Sequence, residues 1–274
     1  MKTKTYYLLL PLLALVFSCD DFEQDEQLEY LGENVNMSTP LTVNQTEQYV
    51  LLEDFTGWNC PNCPKGTEEI NSIISQYGDR IVVAAVHAGA FARPKPDNNN
   101  LDLRTDYGEK LLKKYGILSF PSLMVMRNGE TSSTPSAWKS KVEEFLNLAE
   151  HDANISLGVD VFNDTLLVST QVELLNNVDG DLFLTLYVVE DGIVGIQNDD
   201  GTIKNDYVFN HVLRNGVKED MPLSYEPLQK GDKVSKNYIM KIDAGWVIDN
   251  CKLVAILTKS NGRAIQVNQI EING

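Results

Sequence analysis

A chain of 274 residues, 43% of them hydrophobic, is long enough to bury one large core or two ordinary ones. Its formal charge of −16 at pH 7 makes nucleic acid and anionic surfaces poor partners, because polyanions repel a chain of this sign. With only four cysteines and three histidines, any redox or metal chemistry has few places to sit.

The chain opens with Lys2 and Lys4, continues with an apolar stretch from Tyr6 to Phe17, and closes that stretch at Ser18-Cys19. The stretch is shorter than the roughly 20 apolar residues that span a membrane, so residues 1–18 read as a signal peptide. Leu15-Val16-Phe17-Ser18-Cys19 resembles a bacterial lipoprotein signal with a relaxed lipobox, which implies that Cys19 is lipidated and begins the mature chain. An ordinary secretory signal is the alternative, and Val16 and Phe17 fit its cleavage site poorly. Either reading exports the chain to an oxidising compartment where disulfides persist. No Lys or Arg occurs between Asp20 and Pro64, and Asp20, Asp21, Glu23, Asp25 and Glu26 crowd behind Cys19. Residues 19–45 therefore read as a solvated acidic tether. Acidic residues just behind an anchor also resemble sorting signals that send some lipoproteins to the outer membrane or the cell surface.

Val50 to Phe55 reads as a buried strand, and Lys65 to Tyr77 as a helix with Ile70, Ile73 and Ile74 on one face. Between them lies Trp58-Asn59-Cys60-Pro61-Asn62-Cys63-Pro64. Unpaired N–H groups and the positive end of the helix dipole stabilise a thiolate there, lowering a cysteine pKa from about 8.5 to roughly 3.5–7.5. Cys60 is expected as the exposed nucleophile. Cys63, one turn on, is expected as the thiol that attacks a mixed disulfide and releases the product.

Arg80 to His87 is a continuous apolar run, as in a central parallel strand covered on both faces, and His87 ends it where sites of α/β folds gather. Ala88 to Leu103, with Pro94, Pro96 and Asn98-Asn99-Asn100, is a long loop of the kind that carries function. Thr105 to Tyr115 reads as a short helix, Phe120 to Met126 as a strand with a turn at Asn128-Gly129, and Ser136 to Glu150 as a helix. From Asp152 onward the pattern changes. Ile155 to Phe162, Leu166 to Leu175, Leu182 to Val189, Ser235 to Ile242, Leu253 to Leu257 and Ile265 to Ile272 read as strands. Turn residues at Asn163-Asp164, Asp179-Gly180, Asp199-Asp200-Gly201 and Asn261-Gly262 separate them, which suggests a β-sandwich. Cys251 falls in a strand-like run and reads as a small buried apolar side chain.

Strand, Cys-x-x-Cys at a helix start, strand, helix and a proline opening the next strand together resemble thioredoxin. With the signal, the run Glu53 to Pro64 and the later Asn210-His211-Val212-Leu213-Arg214, the chain resembles the twenty-eight-kilodalton outer-membrane protein family of thioredoxin-like lipoproteins. The resemblance implies a thioredoxin-like domain over residues 46–151 and an all-β, immunoglobulin-like sandwich over residues 152–274. It implies that Cys60 attacks, that Cys63 resolves, and that Pro121 is a cis proline beside the disulfide, a state held by only about 5–6% of X-Pro bonds. Asp54 stands where thioredoxins keep a buried acid. Alternation along the strand puts it on the face of Leu52, opposite Glu53 and Phe55, so one of the two acids must point inward. A desolvated Asp54 accepts the proton of Cys63, although Glu53 is an equal candidate on spacing and a satisfied carboxylate is the bland alternative. The pair Pro61-Asn62 departs from thioredoxin Gly-Pro, and the loop from Ala88 to Leu103 has no thioredoxin counterpart.

A static brace is a poor reading of Cys60 and Cys63, because so short a loop constrains little. A zinc site is also poor, since beyond this pair only Cys251, His87, His151 and His211 remain, scattered along the chain. His87 is a candidate neighbour that tunes Cys60 or joins it at a soft metal, or an ordinary capped histidine. No cofactor is expected. The main reading is a lipid-anchored thiol–disulfide oxidoreductase of the cell envelope, at the outer membrane and facing the periplasm or the exterior. Its expected partners are protein thiols and disulfides, with the membrane reached through the Cys19 anchor. The alternative is a surface lipoprotein that uses the same scaffold for adhesion or ligand binding.

Overall fold

The computed structural model describes residues 28–30, 40–41, 45–216 and 221–273. The signal peptide and Cys19 lie outside the described residues. Among those described, no helix is long and apolar enough to cross a membrane.

The chain starts with strand β1 (Leu28–Tyr30), inside the stretch read as tether; it pairs with a later strand of the β half. β2 (Val50–Thr56) is buried along its whole length. Helix α1 (Cys63–Tyr77) begins with Cys63 and Pro64, two residues earlier than the apolar stripe predicts, because proline is preorganised for a first helical turn. β3 (Ile81–His87) leads through α2 (Gly89–Ala92) to α3 (Asp106–Lys114), whose start is capped by the Thr105 hydroxyl accepting from Gly108 N–H at 2.9 Å. β4 (Ser122–Val125), β5 (Thr131–Ser132) and α4 (Trp138–Leu146) complete the α/β half.

The β half runs through β6 (Ala153–Phe162), β7 (Thr165–Leu174), β8 (Leu182–Glu190), β9 (Ile193–Asp199), β10 (Thr202–Phe209), β11 (Val212–Gly216) and β12 (Met221–Pro222). It ends with β13 (Lys233–Lys241), β14 (Cys251–Lys259) and β15 (Ala264–Glu271). The protein is thus mixed α/β with extensive sheet.

One sheet passes through both halves, in the order β15-β14-β8-β11-β3-β2-β4-β5, with β12 at the side of β8. β2 and β3 are parallel, β4 is antiparallel to β2, and β11 is parallel to β3 but antiparallel to β8. A second sheet, β1-β13-β7-β6, packs on β8, β14 and β15 through Ile155, Leu157, Val168, Leu184, Leu186 and Leu253. On the other face of β8, Tyr187 and Val189 join the core of Leu52, Val83, Leu111 and Leu213. That double coverage explains why β8 and β14 are buried on both faces instead of alternating.

Expectation and structure part at the end of β4. The tight turn comes at Met126 and Arg127, both with positive φ (50° and 48°), with Asn128 N–H donating to Val125 O; Asn128-Gly129 follows the turn. Such a conformation is costly for residues other than glycine and persists where the surroundings demand it. Here it aims Arg127 into the core. Its guanidinium donates to the Glu53 carboxylate at 2.7 and 3.1 Å and to the Tyr107 hydroxyl at 2.9 Å, all buried. Removing one partner of a buried pair strands the other charge, so Arg127→Met should cost about 3–5 kcal/mol in urea unfolding. The double variant Glu53→Leu with Arg127→Met should recover most of that loss; equal instability of single and double variants would show that the pair is not the cause.

Candidate active site

After β2 the chain turns through residues 57–61 before α1 begins. The turn is packed against the long loop: at Gly57 a Cβ atom would lie 2.6 Å from the Phe91 backbone, and Asn59 N–H donates to Phe91 O at 3.0 Å. Cys60 N–H donates to Gly57 O at 3.0 Å, and the Cys60 carbonyl accepts from Cys63 N–H at 3.3 Å. Cys60 and Cys63 form a disulfide with Cα atoms 5.4 Å apart.

The exposed Cys60 expected from sequence is not found: both cysteines are 1% exposed. The cover is the β9–β10 hairpin, which joins neither large sheet. Gln197 Nε2 donates to the Cys60 carbonyl at 3.1 Å, Asn198 N–H to Trp58 O at 2.8 Å, and Asp200 N–H to Pro61 O at 2.9 Å. Trp58, Leu103, Phe209 and Val212 form a small core of their own, joining cysteine loop, long loop, hairpin and β11. Trp58 is pinned further, its indole N–H donating to Arg93 O at 2.8 Å with the Lys95 ammonium 5.7 Å from its ring centre.

Beside Cys63 lies a cavity of about 20 Å³, bounded by Asp54, His87, Gln197, Tyr207 and Phe209. It has room for one water molecule. Glu53 and Asp54 both point inward, because central β2 is covered on both faces. Glu53 takes Arg127, whereas Asp54 faces Cys63 and its Oδ1 has no hydrogen-bond partner. Burial pushes the Asp54 carboxyl up to about 7. His87 lies edge-on to Phe209 at 5.3 Å, with no well-formed hydrogen bond at either ring nitrogen. Burial pushes its imidazole down to about 4, against an opposing influence of the Ala85 backbone.

The Phe120–Pro121 bond is cis, and Pro121 lies against α1: a Cβ atom on Gly66, one turn past Cys63, would stand 3.2 Å from it. The structure therefore gathers Cys60, Cys63, Asp54, His87 and Trp58 around one turn, with Pro121 packed against the helix that follows it. Gln197, Tyr207 and Phe209 escaped the sequence reading. The apolar residues Ile193, Ile196, Tyr207 and Phe209 flanking the Asp200-Gly201 turn were the available signal.

Residues 109–274, more than half of the chain, match the family described as outer membrane protein Omp28. The chain belongs to the Omp28 outer membrane protein family. The residues matched to Omp28 include Pro121, the hairpin and the run Asn210 to Arg214, while Cys60 and Cys63 precede them. HBP35 of Porphyromonas gingivalis has a similar fold, with a TM-score of 0.67 and 21% identity over 83% of this chain and 76% of that one. A structural-genomics target from Agrobacterium tumefaciens aligns with a TM-score of 0.50 and 9% identity, over 84% of this chain and 96% of that one. No curated protein matches this Omp28 family sequence.

Asp54 and His87 should leave opposite marks on stability. A raised carboxyl pKa favours folding below the unfolded value and loses that advantage as pH rises from about 4 to about 7; the lowered imidazole loses its advantage as pH falls from about 6.5 to about 4. Asp54→Asn should therefore gain stability over the parent as pH rises through that window, on the order of 4 kcal/mol at its top. His87→Gln should gain as pH falls. Urea midpoints at pH 4, 5.5 and 7.5 check both slopes, and parallel curves for parent and variants would refute them.

Proposed function

We propose that the protein is a lipid-anchored thiol–disulfide oxidoreductase of the cell envelope, with a thioredoxin-like domain over residues 46–151 and an immunoglobulin-like sandwich over residues 152–274. The observation that carries this reading is the Cys60–Cys63 disulfide whose Cys63 lines a small cavity together with the buried Asp54 carboxyl, the Oδ1 of which has no hydrogen-bond partner. A brace needs no such acid, whereas thiol exchange uses one. The cis Pro121 against α1 and the HBP35-like fold support the same scaffold.

In this reading a partner thiolate attacks Cys60 Sγ, the bonding pair of the disulfide leaves on Cys63 Sγ, and that sulfur takes a proton. A second partner thiolate then attacks its own side of the mixed disulfide and releases Cys60. Two thiols become one disulfide while the pair gains two electrons and two protons. In the reverse direction Cys63 must lose its proton before it attacks, and Asp54, across the cavity, accepts it. Partners are protein thiols and disulfides of the envelope, and Cys19 supplies the membrane anchor.

The burial of both sulfurs favours a second reading, a surface binding protein that keeps the disulfide as part of a covered core. Trapping separates the two. Cys63→Ser leaves Cys60 able to attack but not to be displaced, so reducible mixed disulfides should accumulate on it in the native envelope; a binding protein collects none. Asp54→Asn should slow resolution at neutral pH by about a hundredfold and abolish the loss of rate as pH falls through about 7. Cys19→Ala should abolish fatty-acid labelling, and a variant that still takes up lipid would rule out the anchor.

A further inference from the structure

The hairpin β9–β10 is tied to the rest of the molecule in an uneven way. Its base is clamped: Gly192 N–H donates to Asn210 Oδ1 at 2.9 Å, His211 N–H donates to Asp191 Oδ1 at 2.6 Å, and the His211 carbonyl accepts from Ala85 N–H at 2.7 Å. Gly192 and His211, one at each foot, have φ of 77° and 57°. Its tip is a two-residue turn, Asp200-Gly201, with φ of 49° and 85°. Between base and tip the outer face is open to solvent, with Val194, Ile203 and Val208 exposed.

The inner face holds it down, by apolar contact with Leu101 and Leu103 of the long loop and by hydrogen bonds at the cysteine turn. The carbonyls of Trp58, Cys60 and Pro61 each accept from the hairpin, two from its backbone and one from Gln197. Backbone donors laid along a row of carbonyls are how an extended peptide docks on a protein. The exposed Lys65–Asp200 ion pair at 3.8 Å adds little. With the hairpin in place, both cysteines are 1% exposed.

We propose that the β9–β10 hairpin is a strap that occupies the docking face of the Cys60–Cys63 disulfide, and that partners reach the sulfurs only when it swings away from its clamped base. The strap holds the face by a peptide-like pattern, so the partner that replaces it is an extended polypeptide segment offering backbone N–H groups to the same carbonyls. Asn210 and His211 acquire a role in this arrangement: they fix the feet while the blade moves. The consequence for exchange rests on the oxidoreductase reading, but the strap itself does not.

Reduction of the oxidised chain by dithiothreitol tests the strap without any biological partner. One dithiothreitol thiolate attacks Cys60 Sγ, the bonding pair leaves on Cys63 Sγ, which takes a proton, and the second dithiothreitol sulfur, as thiolate, attacks the dithiothreitol sulfur of the mixed disulfide, closing its ring and freeing Cys60. Gly195→Val is the wedge variant, because a Cβ atom there would stand 2.6 Å from the Leu101 side chain and 3.1 Å from the Phe209 ring. It should raise the reduction rate roughly tenfold, as expected if about 1.4 kcal/mol of closure is lost. Ile203→Thr, on the outer face, should leave the rate alone. Native-state hydrogen exchange on the unaltered chain gives an independent reading: the Asn198 and Asp200 amides should exchange far faster than those of Val83 and Ala84 in β3. A folded Gly195→Val variant reduced no faster than its parent would overturn the proposal, as would Asn198 and Asp200 amides protected as strongly as β3. Failure of the oxidoreductase reading looks different: the double variant Cys63→Ser with Gly195→Val would be reduced quickly at any small-molecule mixed disulfide yet collect no protein adducts in the envelope.

Discussion

The Ala85 amide donates to the His211 carbonyl at 2.7 Å, and next to that bond Val212 lies in register with Ala85. This short parallel contact is where β11 enters the sheet between β3 and β8, and most of the architecture depends on it. It turns two half-sheets into one, brings Tyr187, Val189 and Leu213 into the core of the α/β half, and sets the preceding hairpin over the cysteine turn. His211 reaches it by adopting a left-handed backbone, tolerated because its amide is held by Asp191 and its carbonyl by Ala85. A five-residue strand thus determines what lies above the disulfide.

Placing β2 at the centre of a covered sheet has a second result. Two neighbouring carboxyl groups, Glu53 and Asp54, are forced into the interior on opposite faces, and an ionised carboxylate without a partner is expensive there. The two are accommodated by different chemistry. Glu53 is neutralised by a guanidinium that reaches it only through an unfavourable turn. Asp54 is accommodated by proton uptake, which leaves an acid poised near neutrality beside a sulfur. Adjacent residues of similar chemistry acquire an ion pair in one case and a raised pKa in the other from the side of the strand on which each falls.

Much of this was legible beforehand. The cis proline was implied only by the resemblance to thioredoxin, whereas Val50 to Phe55, the helix behind Cys63 and the run Arg80 to His87 follow local rules of period and proline placement. So do the turns at Asn163-Asp164 and Asp200-Gly201, whose residues accept positive φ. What escaped depends on distant pairings. Nothing local says that Arg127 finds Glu53, or that Met126 and Arg127 yield the turn that Asn128-Gly129 would make more cheaply. The hairpin escaped for a related reason: β10 carries Lys204, Asn205 and Asp206 on an exposed stretch, and its apolar contacts lie with a loop about a hundred residues earlier. The motif Asn210 to Arg214 stood out as a string of letters, but its meaning required knowing which strands it joins.

The shared sheet also bears on how the chain can be divided. A fragment ending after α4 would take from β3 the β11 contact at Ala85, leaving that apolar edge open, and would strip the core of Tyr187, Val189, Leu213, Val254 and Ile256. Such an edge is a template for self-association. The cysteine-bearing half is thus a passage of a longer sheet, and part of its cover is lent to it by strands encoded more than a hundred residues downstream of the cysteines.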